Sequence, residues 1–164
     1  MTGMNELVRS GIADPNQLFL YSSSNGASAI NQLLTQTGLF RAAVSHGGVA
    51  NWLGYYQMRR QLGDETIPGF LGGRKPEDSP ELYRRISPVF QVDKISTPLL
   101  LVIGEKDTRF NDTMEFYRAL RKAGSPVSLI TYAGEDHGLS NATLAEHHVR
   151  RALEFFRSAK SETR

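Results

Sequence analysis

A chain of 164 residues, 40% hydrophobic and 22% charged, is sized for one globular domain with a real core. Its net charge of +2, carried by scattered arginine pairs, gives no patch for nucleic acid or an anionic membrane. The absence of cysteine excludes disulfides, thiolate metal sites and thiol catalysis; with no signal-peptide pattern and no apolar run of about eighteen residues, a cytoplasmic location is expected.

Leu7, Val8 and Ile12 share one side of a short amphipathic helix predicted over 5–12 and ended by Gly11. A turn at Asp14-Pro15-Asn16 leads to a short buried strand over 17–21, which breaks into three serines and Gly26. A sharp strand-to-helix turn that presents a reactive serine needs small residues two before and two after it. Gly26 meets that need at plus two and selects Ser24; at minus two stands Ser22, so the pattern is SxSxG rather than GxSxG. Helical spacing of Ala29, Ile30, Leu33 and Leu34 then runs to Gly38, read as the stop signal, and a second strand is predicted over 42–45.

Residues 47–80 are rich in glycine and aromatics and read as a helical turn or two within 50–62 followed by irregular backbone. Trp52, Tyr55, Tyr56 and Phe70 in this segment either line a pocket or seal the core. Ser79-Pro80 and Ser87-Pro88 each signal a capped helix start. The run over 98–103, apolar throughout, is the clearest strand; a helix over 111–123, a strand over 126–132 and a terminal helix over 142–159 follow. This alternation predicts an α/β fold of about four parallel strands with helices on both faces.

Residues just beyond the carboxyl ends of parallel strands are where such sheets bind ligands. Those positions hold Ser24, Asp107 and His137. A serine hydroxyl becomes a nucleophile when an imidazole takes its proton and a carboxylate orients that imidazole, and Ser, Asp, His is the chain order of such triads in this architecture. Other candidates weigh less. His46 comes too early in the chain, His147 and His148 point to different helix faces, Asp136 is a fallback partner for His137, and Glu105 is read as solvated or capping. No metal or other cofactor is expected.

Together the blocks Phe40-Arg-Ala-Ala-Val-Ser-His-Gly-Gly-Val-Ala-Asn-Trp52, Ser87-Pro88, Thr97-Pro-Leu-Leu-Leu-Val-Ile-Gly-Glu-Lys-Asp107, Phe116-Tyr-Arg-Ala-Leu120 and Gly134-Glu-Asp-His-Gly138 resemble the catalytic domain of the prolyl oligopeptidase family of α/β-hydrolases. The resemblance implies Ser24 as nucleophile, Asp107 as acid, His137 as base, and the Asn25 backbone N–H as one oxyanion donor. It also implies that residues 1–164 form a truncated, partial α/β-hydrolase domain, with a pocket or cap segment at about 47–80 and without the strands and loop that bring the second oxyanion donor. The nucleophile strand, central in the family, then becomes an edge. Unpaired strand edges recruit other chains, so a homo-oligomer is expected through 17–21 or the 1–11 helix.

Lacking a domain to gate or anchor peptides, the chain is expected to be a carboxylesterase on small esters, with Trp52, Tyr55, Tyr56 and Phe70 as an acyl or alcohol pocket. The alternatives are a serine peptidase fragment of the prolyl oligopeptidase family that needs its missing half, and a non-catalytic hydrolase-like binding module.

Overall fold

The computed structural model describes residues 2–64 and 66–161; Met1, within the segment expected to self-associate, and Glu65, within the pocket segment, lie outside them. Four strands, β1 (Phe19–Ser23), β2 (Ala42–His46), β3 (Leu99–Gly104) and β4 (Val127–Tyr132), pair in parallel in the order β1-β2-β3-β4. Helix α1 (Thr2–Arg9) precedes β1, and α2 (Ser24–Leu33) follows it directly. Between β2 and β3 lie α3 (Trp52–Gln61), α4 (Thr66–Phe70), α5 (Pro80–Arg85) and a 3₁₀ segment (Pro88–Lys94); α6 (Phe110–Lys122) follows β3 and α7 (Ala142–Ser161) follows β4.

The period of two along the central strands builds two cores. Ala43, Leu99 and Leu101 face Ile30 of α2, Leu34 at its C-cap, and Phe116 and Leu120 of α6. Val44, Leu100 and Val102 face the opposite side, where Ala152, Phe155 and Phe156 of α7 cover them. The expected helices on both faces are therefore present. Every residue of β2 and β3 is buried, as the unbroken apolar run of β3 requires; in β2 the burial extends to Ser45 and His46. β1 stands at the sheet edge, as expected, but it lies two residues later than the strand expected over 17–21 and is not buried throughout, its Tyr21 being 51% exposed.

Several local expectations are corrected. α2 stops at Leu33, well before Gly38, because the Thr35 hydroxyl and backbone N–H both bond the Gln32 carbonyl, satisfying the helix end without a glycine. Ser79 makes no side-chain cap bond to α5, so Pro80 starts that helix through its fixed φ alone. The Ser87 hydroxyl likewise caps nothing of its own helix; it accepts from the Trp52 N–H at 2.9 Å and donates to the Tyr83 carbonyl at 2.7 Å. α3 is longer than the turn or two expected, since Asn51 caps it by accepting from the Gly54 N–H, and α4 occupies backbone expected to be irregular.

The loops after β3 and β4 touch. The Glu105 N–H donates to the Tyr132 carbonyl and the Lys106 N–H to the Glu135 carbonyl. A Cβ at Gly104 would overlap the backbone of Glu135 and Asp136, so only glycine lets the two loops meet. Gly104→Ala is expected to cost about 2 kcal/mol, as overpacking against backbone does. A urea unfolding midpoint equal to that of the wild type would contradict this contact.

Candidate active site

Ser24 is the only non-glycine residue with positive φ among the described residues, at 56°. A left-handed serine between the last residue of β1 and the first turn of α2 reverses the chain sharply and lifts the side chain clear of the sheet. A Cβ on Gly26 would meet the Ser22 hydroxyl and crowd the Ser22 Cβ, so the bare glycine lets Ser22 keep its position. Ser28, one turn on, accepts from the Val49 N–H at 2.8 Å and donates to the Ser24 carbonyl at 3.2 Å, tying the turn to the loop after β2.

The three strand-end residues meet. Ser24 Oγ lies 2.9 Å from His137 Nε2, and His137 Nδ1 lies 2.7 Å from Asp107 Oδ2. Nδ1 faces a carboxylate oxygen, which accepts, so the proton of the neutral ring sits on Nδ1 and Nε2 is left to accept from the Ser24 hydroxyl. The Asp107 side chain is 1% exposed and that of His137 is 44% exposed. The buried carboxylate is thus fixed while the imidazole reaches solvent and substrate. Asp107 also accepts the Arg109 N–H on Oδ1 at 2.9 Å, so it shapes the turn into α6 and orients the imidazole at once. Asp136 accepts from the His137 backbone N–H and leaves the ring to Asp107. Chemically, a hydroxyl bonded to an imidazole that is itself bonded to a buried carboxylate can be deprotonated as it attacks a carbonyl.

Sequence reasoning missed Arg109. Its Nη1 donates to the Gly47 carbonyl at 2.6 Å and to Ser24 Oγ at 3.3 Å, and its Nε and Nη2 donate to the Tyr55 hydroxyl. With Asn25, Trp52, Tyr55 and Phe70 it lines a cavity of about 360 Å³ beside Ser24. An apolar cleft of about 280 Å³ shares Asn25, Trp52 and Phe70 and continues along α2 past Ala29 to Leu71 and Ile86. Tyr56 does not line either space. It packs with Val49, Ile67 and Tyr83 in a satellite core, its ring 5.8 Å from that of Tyr83. Glu105 is exposed, while Glu135 is buried and accepts from the Ser140 N–H and hydroxyl. Asp112, also missed, accepts the Ala50 and Asn51 N–H groups; burial raises its pKa to about 6 against the pull of those two bonds.

His46 stands apart from Ser24 on the α7 side of β2, its ring 5.0 Å from that of His148. His148 bonds the Tyr21 hydroxyl and the exposed His147 bonds that of Tyr132, so the adjacent histidines diverge as their helical positions require. Among the described residues, no cluster of three or more His, Cys, Asp or Glu could hold a metal, and no helix is long and apolar enough to cross a membrane.

Burial first, then the charges of His148 and His137, lower the His46 pKa from 6.5 to about 4, with Asp107 opposing. In the unfolded chain His46 takes its proton as pH falls below 6.5, whereas the folded protein resists until about 4, so the contribution to stability held above 6.5 is lost as pH falls through that window. His46→Phe removes the effect. The stability of the wild type relative to this variant is expected to fall by about 3 kcal/mol between pH 7 and pH 4. A difference independent of pH in urea titrations would refute it.

The chain matches the prolyl oligopeptidase family over residues 1–162. It is 28% identical over 140 residues to the uncharacterized peptidase YuxL of Bacillus subtilis (strain 168), covering 84% of this chain and 21% of that protein. Its structure is similar to that of a puromycin-hydrolyzing peptidase of Mycobacterium tuberculosis, with a TM-score of 0.86 and 26% identity over 97% of this chain and 24% of the other. It is also similar to the uncomplexed acylaminoacyl peptidase of Pyrococcus horikoshii, with a TM-score of 0.81 and 27% identity over 99% and 27% of the two chains. The chain thus spans between 21% and 27% of the length of these relatives. All three are described as peptidases, which does not support the expected small-ester carboxylesterase.

Proposed function

The chain belongs to the prolyl oligopeptidase family, within the serine hydrolases, and we propose that it carries that family's hydrolytic centre and acts as a serine peptidase on acylated amino acids or short peptides. The observation that carries this reading is the hydrogen-bonded series Ser24, His137, Asp107, with Ser24 strained at a strand-to-helix turn. Ser24 Oγ attacks the scissile carbonyl carbon while its proton passes to His137 Nε2. The tetrahedral intermediate then collapses, the amine leaving with that proton and the acyl group remaining on Ser24. Water, losing a proton to His137, cleaves the acyl-enzyme to acid and free serine. Asp107 orients the ring and stabilises the imidazolium. The Asn25 N–H, at the first turn of α2, is one donor to the oxyanion, where the helix dipole adds to it.

A second donor has to come from another segment, in the way a larger family domain would supply it. Loss of one such donor costs on the order of 10²–10³ in rate, so slow turnover by the 164-residue chain alone fits this reading. A fluorophosphonate probe is expected to label Ser24, and the labelled chain to hydrolyse an N-acetyl-aminoacyl p-nitroanilide no further. Ser24→Ala should lower that turnover about 10³-fold or more. Equal rates in both proteins would sink the peptidase reading, and Ser24-dependent turnover of p-nitrophenyl esters without any of the anilide would favour an esterase instead.

The outer edge of β1 has no strand beside it among the described residues, and Leu7, Ile12, Tyr21, Val149 and Leu153 are exposed apolar residues on β1, the α1 end and α7. We place a second copy of the chain at this edge. Light scattering at micromolar concentration should report a dimer, shifted toward monomer by Tyr21→Lys; a stable wild-type monomer would remove the proposal.

A further inference from the structure

We propose that the cavity beside Ser24 recognises a carboxylate on the substrate, close in bonding to the scissile carbonyl, and that Arg59 is the residue that selects it. The inference deepens the peptidase reading by naming a substrate class, and it rests on that reading only for which bond is cut.

The cavity beside Ser24, lined by its neighbour Asn25 and its hydrogen-bond partner Arg109, is also lined by Arg59, Trp52, Tyr55 and Ile67. Two guanidiniums therefore face one small space, and both flank the same ring: the Tyr55 centroid lies 5.1 Å from Arg109 Cζ and 5.9 Å from Arg59 Cζ. Arg109 bonds only neutral acceptors, the Gly47 carbonyl and the hydroxyls of Tyr55 and Ser24, and no carboxylate among the described residues lies within ion-pair distance of it. Arg59 pairs with Asp64 through one Nη2. The other oxygen of Asp64 is occupied by the Thr66 N–H and hydroxyl.

Donors decide the matter. A guanidinium has five N–H groups. Arg109 commits four of them, whereas Arg59 commits one, so most of the unused donor capacity belongs to Arg59. Among the described residues, Asp64 is the one carboxylate in ion-pair contact with either guanidinium, Asp112 acts on Arg109 only at longer range, and no carboxylate lines the cavity. It is walled by Trp52 and Tyr55, and the Arg59 side chain keeps 33% of its surface exposed, within reach of an entering carboxylate. A planar carboxylate matches the fork that Arg59 offers. Two sources could present it: an acidic side chain on the acyl side, or a free terminal carboxylate on the leaving side.

Trp52 is the sole tryptophan of the chain and lines the cavity, so its fluorescence reads binding without turnover. In Ser24→Ala protein, N-acetyl-glutamate α-amide is compared with N-acetyl-glutamine α-amide for the side-chain source, and N-acetyl-Leu-Leu with its C-terminal amide for the terminal source. The acid of one pair is expected to bind about tenfold more tightly than its amide, and that pair names the source. Arg59→Gln should bring acid and amide together, and Asp64→Asn, by releasing Arg59, should widen the gap. Acids and amides that bind alike, or a preference that survives Arg59→Gln, would overturn the proposal. A carboxylate preference without probe labelling of Ser24 supports the binding site while removing the peptidase reading, and labelling without a preference does the reverse.

Discussion

The buried carboxylate of Asp107 is the point on which the site depends. One oxygen holds the Arg109 N–H and so fixes the turn into α6; the other holds His137 Nδ1 and so fixes the imidazole that meets Ser24. A loop carboxylate that shapes the next helix and one that orients a base are commonly weighed as rival readings of an aspartate. Here the two oxygens divide the work, and each role reinforces the other: the turn keeps the carboxylate immobile, and an immobile carboxylate gives the ring one orientation.

The sheet supplies what Asp107 cannot. Parallel pairing puts the carboxyl ends of β1, β3 and β4 on one side, so residues 113 and 30 positions apart in sequence arrive within hydrogen-bond reach. β2, wholly buried between β1 and β3, sets the spacing, and its following loop carries the Gly47 carbonyl that anchors Arg109. The absence of a Cβ at Gly104 lets the His137 loop close down on the Asp107 loop. The side chains that do chemistry are therefore placed by backbone that does none.

The fold was legible because apolar runs and helical spacing dominate the sequence, and the order of the three strand-end residues made their meeting legible too. Residues that act through tertiary contact were not. Arg109 reads as an ordinary helix-start arginine, although a cation at a helix N-terminus opposes the dipole, and that local misfit was the available signal that something else holds it there. Tyr55 and Tyr56 are adjacent, alike in sequence and members of one satellite core, yet about 100° of helix rotation lets Tyr55 also line the cavity while Tyr56 sets its ring against Tyr83. Ser79 and Ser87 have identical Ser-Pro contexts, but neither caps its helix, and only the packing of α3 against α5 gives the Ser87 hydroxyl its partners.

The serine at position 22 sharpens how the strained turn works. A turn with glycine on both sides of the reactive serine has room to spare, and a side chain at minus two suggests that the turn must tilt. The space shows otherwise. The Ser22 side chain occupies the volume that a Cβ on residue 26 would need, so the two positions share one space and it can be filled from one side only. What the turn demands is then a condition on the pair rather than two separate demands for glycine: Ser22 is accommodated because Gly26 is bare, and Ser24 keeps both its positive φ and its reach to His137. A side chain at 26 would press on the Ser22 hydroxyl, which must swing aside if Ser24 Oγ is to stay 2.9 Å from His137 Nε2.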